Sequence, residues 1–288
     1  MKIIPSNNIF KLILSPIKNE DSHSLSSIIY NSNLTLCMNR EYIEEIEAEN
    51  PNNEYFKSII TLLNDNNRLD STIKFVSSAC SKFEQLALNS NKISMLFPLA
   101  YNDKIDNNIF CFDYKNINSD ILNKEFVIYK LAIHNSLQIS HTNFVDNEHI
   151  QNFLDSLFSL PCYIQTVKIY NRDVCCKFLS ILKGKNILYY SLQPGKMNTP
   201  DYKLICKEKK DEIKKELGGK SKLFVTPNKR IIHERKVFIN DQIIITIDNS
   251  FENILKEEPT WTISIELNPS LHREWYNKDA KFKEVNWC

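Results

Sequence analysis

The sequence predicts an α/β protein built from two layered α/β lobes, residues 1–160 and 161–288. Short apolar runs alternate with stretches of helical periodicity along most of the chain, which favours a layered α/β architecture. The 288 residues are long for one compact core and sufficient for two. Hydrophobic residues make up 42% and aromatic residues 11% of the chain, so there is enough apolar material for folded cores.

In the first lobe, strands and helices are expected to alternate around a largely parallel sheet. Apolar runs of strand length occupy residues 9–14, 34–38, 72–77, 93–99 and 109–114. Helical patterns occupy residues 21–30, 39–49, 53–66, 80–90, 121–136 and 147–158. Asp21 or Ser22 is suited to cap the first of these helices.

The second lobe begins with an alternating strand over residues 164–170. Further strands are expected over residues 187–190, 223–225, 230–239, 243–247 and 261–265, the last of these closing the sheet. Helices are expected over residues 174–182 and 207–217. Asn240-Asp241 supplies the residues of a tight hairpin turn between two of the strands.

Glycine is scarce, and its distribution excludes common nucleotide-binding motifs. The four glycines are Gly184, Gly195, Gly218 and Gly219. The first lobe therefore has neither a Rossmann fingerprint nor a P-loop. Gly219-Lys220-Ser221 resembles the end of a Walker motif, but Lys214 stands where the earlier glycine is required. We predict that Gly218-Gly219 ends a helix.

The cysteines and the apolar runs indicate a cytoplasmic protein. The eight cysteines are scattered and form no C-x-x-C pair, which disfavours a zinc ribbon and a thioredoxin-like site. No run of eighteen apolar residues occurs, so no transmembrane segment is expected. The first residues lack the apolar run of a secretory signal.

Charge is divided unevenly between the lobes. Residues 1–160 carry 13 Lys and Arg against 19 Asp and Glu, whereas residues 161–288 carry 23 against 16. This division has two interpretations. Either the basic lobe binds a phosphate-bearing partner, or the acidic and basic lobes attract each other. Residues 196–236 hold 13 basic against 6 acidic residues with aromatic residues nearby, a composition that fits nucleic-acid binding or a solvated helix.

The strongest candidate site lies in the predicted strand 231–235. Strand alternation places His233 and Arg235 on one face and Glu234 on the other. A guanidinium offers a planar fork to phosphate oxygens, and an imidazole can donate or accept a hydrogen bond, or attack, near neutral pH.

Neighbouring residues extend this candidate site. Phosphate contacts are predicted from Arg235, Lys236, Arg230 and Lys229. His233 would donate a hydrogen bond, or act as the nucleophile in a catalytic site, and Asp248 could orient it. The alternative is a half-exposed strand with cross-strand ion pairs, for example between Arg235 and Asp248.

Residues 233–246 resemble the motif strand, turn and following strand of phospholipase D-like domains. The branch concerned is the C-terminal domain of MIT-domain proteins, in which His-Asp/Glu-Arg replaces the catalytic His-x-Lys. The resemblance spans about residues 160–288 and is most specific over residues 223–251. It implies a phospholipase D-like fold for the second lobe, and recognition of a phosphate or phosphoester.

The departures from the catalytic motif, His-x-Lys-x4-Asp, favour recognition over hydrolysis. Arg235 holds the lysine position and Asn240 the aspartate position, while Asp241 comes one residue late. Active enzymes bring two motifs together and this chain has one, so hydrolysis would require a homodimer to supply a second histidine. The resemblance implies nucleic acid rather than lipid as the ligand, and suggests a bacterial defence or mobile-element system.

The first lobe offers a metal-dependent alternative. The order of its elements loosely resembles a PIN-type ribonuclease, in which carboxylates at strand ends hold Mg²⁺. Candidate ligands are Asp21, Glu45 and Asp113, although Ser15 stands where that family has its first aspartate. The leading interpretation requires no cofactor. A third alternative is a subunit that assembles without catalysis.

Overall fold

The chain divides by its contacts into two compact units. The first comprises residues 1–135 and 160–163, and the second comprises residues 136–159 and 164–288. The computed structural model describes residues 2–17, 20–72, 82, 85–86, 95–97, 120, 124–159, 164, 166–195, 199–232, 235–256, 260–267, 274–275 and 277–286. Helices and sheets occur in both units, which confirms the predicted α/β class.

Within the described residues, the first unit has a sheet of four strands and five helices. The strands are β1 (Lys2–Pro5), β2 (Thr35–Cys37), β3 (Leu69–Asp70) and β4 (Met95–Phe97). The helices are α1 (Asn7–Leu14), α2 (Glu20–Tyr30), α3 (Arg40–Glu49), α4 (Glu54–Asp65) and α5 (Lys124–His134). All described strand pairs are parallel, in the order β3-β2-β1-β4, as the alternating pattern predicted.

One expectation for the first unit is wrong. Residues 9–14 form the greater part of helix α1, and the strand precedes them at β1. Ile9, Phe10 and Ile13 are buried while Lys11 is exposed, a spacing that places the apolar side chains on one face of a helix. The strands expected over 72–77 and 109–114 lie outside the described residues, apart from residue 72.

The second unit contains a mixed sheet of eight strands among its described residues. The strands are β5 (Ser136–Ser140), β6 (Val167–Tyr170), β7 (Ile187–Leu192), β8 (Lys222–Thr226), β9 (Arg235–Ile239), β10 (Ile243–Ile247), β11 (Thr262–Leu267) and β12 (Lys283–Glu284). Their order is β12-β8-β7-β6-β9-β10-β11-β5, with β6, β7 and β8 parallel and the remaining pairs antiparallel. The helices are α6 (Asn147–Phe158) and α7 (Pro200–Leu217).

The unit boundary lies earlier than the predicted position at residue 160. Strand β5 pairs with β11, with Ser140 opposite Thr262 and Ile139 opposite Ile263. These pairings join residues 136–140 to the second sheet, so the second unit begins at Ser136.

Three elements of the second unit differ from prediction. The strand expected over residues 230–239 begins only at Arg235, and residues 229–231 form a turn. Residues 174–182 were expected to form a helix, but only 180–182 form a short 3₁₀ turn. Val174, Cys175 and Cys176 are all buried, and three consecutive buried residues do not fit one face of a helix. The strand β12 also follows the one expected to be last.

The predicted hairpin turn is confirmed. Asn240 and Asp241 have φ of 53° and 59°, the left-handed conformation that a type I′ turn requires at both central residues. The turn fixes the register of β9 against β10, in which Arg235 lies opposite Ile247. Helix α7 ends at Leu217 and Gly218 caps it, as predicted; the Gly218 backbone N–H donates to the carbonyl of Lys214.

Candidate anion-binding site

Several loops of the second unit end at one edge of its sheet, which we call the carboxyl edge. Strands β6 and β8 run toward it and are followed by Arg172 and by the turn 228–231. Strand β9 runs in the opposite direction, so its first residue, Arg235, lies at the same edge. Strand β10 ends there and is followed by Asp248. Carboxyl ends of parallel strands are the usual ligand-binding edge of an open α/β sheet.

Arg235 is the most unusual side chain at the carboxyl edge. Its Nε is buried and has no hydrogen-bond partner among the residues that the structure describes. Burial lowers the pKa of the Arg235 guanidinium, the charge of Arg172 lowers it further, and Asp248 raises it. The two guanidinium groups therefore act on each other electrostatically, an arrangement that a bound anion would stabilise.

Arg172 is held in place by its backbone and by one side-chain bond. Its carbonyl accepts from Ser191 Oγ at 2.8 Å and from the backbone N–H of Leu192 at 3.0 Å. Its own backbone N–H donates to Asn171 Oδ1 at 3.0 Å. The Arg172 Nε donates to the carbonyl of Ile232 at 3.2 Å, which ties the loop after β6 to the segment before β9.

Lys229 and Arg230 lie in the turn that follows β8, and both are exposed. Asn228 fixes the shape of this turn through two hydrogen bonds. Its Oδ1 accepts from the backbone N–H of Arg230 at 3.0 Å, and its backbone carbonyl accepts from the backbone N–H of Ile231 at 3.1 Å. Ile231 is buried and anchors the turn. The two basic side chains are thus presented to solvent from a fixed backbone.

The side chain of Lys236 does not lie beside that of Arg235. It is only 7% exposed and lies on the opposite face of β9, because successive side chains of a strand alternate. Its Nζ donates to Thr246 Oγ1 at 3.1 Å and lies 5.7 Å from the centre of the Trp275 ring. We therefore remove Lys236 from the predicted phosphate-binding residues.

His233 and Glu234 lie outside the described residues, so the predicted role of His233 stays a prediction. Asp248 is exposed, and its Oδ1 accepts from the backbone N–H of Thr262 at 2.8 Å. For the part of the chain that is described, Arg235 and Asp248 interact electrostatically but form no ion pair. The alternative of a cross-strand ion pair between them is not supported.

Two of the candidate metal ligands of the first unit, Asp21 and Glu45, lie on separate helices. Asp21 lies in the first turn of α2, and Glu45 lies within α3, where its carboxylate is 3.7 Å from the Nζ of Lys82. Neither residue directly follows a strand, and residues 9–14, the strand expected before Asp21, form helix α1. Asp113 lies outside the described residues. No group of three or more His, Cys, Asp or Glu residues positioned to hold a metal ion occurs among the residues described.

Arg172 was missed in the sequence. Its proximity to Arg235 depends on the pairing of β6 with β9, which joins distant parts of the chain. A signal was present nevertheless: Asn171-Arg172-Asp173 directly follows an alternating strand, where the carboxyl edge of a parallel sheet is expected.

No protein-family model matches the chain, and no curated protein matches it. Solved structures that are similar to it include the phospholipase D family member Nuc from Salmonella typhimurium, at 9% identity and a TM-score of 0.37. That match covers 52% of this chain and 97% of Nuc. NucT from Helicobacter pylori is 11% identical, with a TM-score of 0.35, over 51% of this chain and 93% of NucT.

A third similar structure is the phosphatidylserine synthase of Haemophilus influenzae Rd KW20. It is 12% identical, with a TM-score of 0.33, over 47% of this chain and 37% of the synthase. Of these structures, Nuc is a member of the phospholipase D family, which residues 233–246 resemble. The likeness concerns the fold alone. No helix within the described ranges is both long and apolar enough to cross a membrane.

Proposed function

We propose that the second unit binds a phosphate-bearing ligand at its carboxyl edge, through Arg172 and Arg235, and that this ligand is nucleic acid. The observation that supports the proposal most strongly is the pair of guanidinium groups, one of which has a buried Nε without a partner. A buried donor left unsatisfied costs about 1–3 kcal/mol. A phosphate oxygen would satisfy such a donor and offset the repulsion between the two cations.

The other basic residues of the edge favour a polyanion over a single small anion. Lys229 and Arg230 are exposed in the adjoining turn, so four cations belong to one edge. Asp173, an acidic residue of the same edge, has its carboxylate 3.3 Å from the Nζ of Lys209. Phosphates spaced along a nucleic-acid backbone would reach several of these cations at once, and such contacts supply most of the sequence-independent affinity.

Fluorescence anisotropy with a labelled single-stranded oligonucleotide tests the proposal. We expect Arg235→Ala and Arg172→Ala each to raise the Kd about tenfold, because each removes a charge-assisted contact worth about 1.5 kcal/mol. Arg40→Ala is the matched control, since Arg40 is an exposed arginine of the first unit paired with Glu44. Equal affinities for all three variants and the wild type would refute the proposal.

A cleavage assay with the same oligonucleotide tests whether the wild type and His233→Ala hydrolyse it. Cleavage of the oligonucleotide that persists in EDTA and is abolished by His233→Ala would assign catalysis to the histidine. Cleavage that EDTA stops and His233→Ala leaves intact would assign it to carboxylates elsewhere in the chain. Binding without cleavage is the result that fits the proposed recognition role.

A further inference from the structure

Three of the four glycines of the chain meet at the opposite edge of the second sheet, where β7 and β8 begin. Gly184 precedes β7, and Gly218 and Gly219 precede β8. The backbone N–H of Gly184 donates to the carbonyl of Leu217 at 2.8 Å. A β-carbon on Gly218 would lie 3.2 Å from the Gly184 nitrogen, so these two loops are in close contact.

The backbone conformation accounts for the presence of glycine at positions 184 and 218, but not at position 219. Gly184 and Gly218 have φ of 81° and 101°, in the region that favours glycine. The φ of Gly219 lies outside that region, and a β-carbon there would meet nothing within 4 Å. Neither conformation nor packing therefore requires glycine at position 219. Its bare backbone faces open space, which admits close approach by a ligand.

The same two loops carry four lysines. They are Lys183 and Lys185 before β7, and Lys220 and Lys222 at the start of β8. Lys222 lies 3.5 Å from a carboxylate oxygen of Glu284. Lys183, Lys185 and Lys220 form no ion pair with any residue that the structure describes. We call residues 183–185 and 218–222 the glycine–lysine surface.

Ser221 adds an unsatisfied hydroxyl to the glycine–lysine surface. Its backbone N–H closes the turn by donating to the carbonyl of Gly218 at 3.1 Å. The residue is 4% exposed, and its Oγ is buried without a hydrogen-bond partner. The hydroxyl is therefore a buried polar group that a ligand at the adjoining turn would satisfy, since it forms no hydrogen bond with the residues that the structure describes.

We propose that the glycine–lysine surface is a second phosphate-binding site, separate from the carboxyl edge. A phosphate group would approach the bare backbone at Gly219, lie between the ammonium groups of Lys183 and Lys220, and accept a hydrogen bond from Ser221. The glycine leaves room for the group, and the lysines neutralise it as point charges. The phosphate belongs either to a nucleic-acid backbone or to a free polyphosphate, and both present the same chemistry.

The test uses the full chain carrying Arg172→Ala, Arg235→Ala, Lys229→Ala and Arg230→Ala. This background removes the four cations of the carboxyl edge, so failure of one proposal is distinguishable from failure of the other. Isothermal titration calorimetry measures binding of inorganic tripolyphosphate. We expect binding to persist in this background and to weaken at least tenfold when Lys183→Gln and Lys220→Gln are added. Adding Arg40→Gln and Lys57→Gln removes the same charge from the first unit, and is expected to leave affinity unchanged.

Two further measurements make the outcome decisive. Ser221→Ala is expected to weaken tripolyphosphate binding, and circular dichroism should show the fold retained in every variant. An oligonucleotide that loses affinity together with tripolyphosphate identifies the nucleic-acid backbone as the source of the phosphate. An oligonucleotide that is unaffected identifies a free polyphosphate. Absence of tripolyphosphate binding, or binding insensitive to Lys183→Gln with Lys220→Gln, overturns the proposal.

Discussion

Arg172 and Arg235 bring two guanidinium groups to one edge of the second sheet from strands that run in opposite directions. Arg172 follows the end of β6, and Arg235 begins β9. The bond from Arg172 Nε to the carbonyl of Ile232 holds the two loops together. This relationship distinguishes a candidate anion site from an ordinary basic surface, because the buried Nε of Arg235 has no partner within the described part of the chain.

Arg235 is expected to cost stability while it supports binding. Replacing it with Met removes an unsatisfied buried donor and a like-charge interaction, and keeps the apolar part of the side chain. We expect Arg235→Met to raise the free energy of unfolding by about 1 kcal/mol and to weaken oligonucleotide binding at least tenfold. Urea unfolding and anisotropy measure the two effects. A variant that loses stability would show that Arg235 has a structural role.

Lys236 provides a contrasting test on the adjacent position of the same strand. It is buried on the opposite face, bonded to Thr246 and close to Trp275. We expect Lys236→Met to leave the oligonucleotide Kd within about twofold of wild type, because the side chain does not reach the carboxyl edge. A loss of affinity as large as that of Arg235→Ala would contradict this geometry.

Sequence patterns predicted the elements of the second unit best where the determinants are local. The Asn240-Asp241 turn follows from backbone preferences, and the neighbouring strands follow from their apolar runs. Residues 9–14 were misassigned because a short apolar run fits both a strand and a buried helix face. Residues 174–182 were misassigned because the backbone of Cys175 is bonded to the hydroxyl of Tyr189 on β7, a contact between separate segments that no local pattern predicts.

The candidate site was predicted only in part. Arg235, Lys229 and Arg230 were identified from residue type and from their place next to the motif strand. Arg172 required knowledge of which strands pair, and strand pairing is not local. Lys236 was included although strand alternation alone placed it on the other face from Arg235.

Asp279 is expected to be a major contributor to the stability of the second unit. Its carboxylate accepts from Lys168 Nζ at 3.1 Å and from the hydroxyl of Tyr170. Lys168 and Tyr170 are buried, so Asp279→Ala removes a carboxylate that faces a buried ammonium and a buried hydroxyl. We expect the free energy of unfolding to fall by about 3 kcal/mol. Adding Lys168→Met should restore much of the loss, and failure to restore it would argue against the ion pair as the cause.

Alkaline pH is expected to destabilise the fold through its buried tyrosines. Burial raises the pKa of Tyr42, Tyr170 and Tyr189 above the ordinary value of 10.0. Since the unfolded chain ionises first, stability is fully present below pH 10 and falls as the pH rises above it. The loss is about 1.4 kcal/mol per pH unit for each such tyrosine. Urea unfolding at pH 9 to 11 measures the slope, and Tyr170→Phe should reduce it.

The salt dependence of oligonucleotide binding shows whether Arg172 and Arg235 contact phosphates. The dissociation constant is measured by anisotropy across a series of salt concentrations for wild type, for Arg172→Ala with Arg235→Ala, and for Arg40→Ala. If the carboxyl edge contacts phosphates, the double variant binds far more weakly. A plot of log Kd against the logarithm of the salt concentration then has a slope that is smaller than that of the wild type by about two, one for each cation removed. Identical slopes and affinities for the double variant and the wild type would contradict the account.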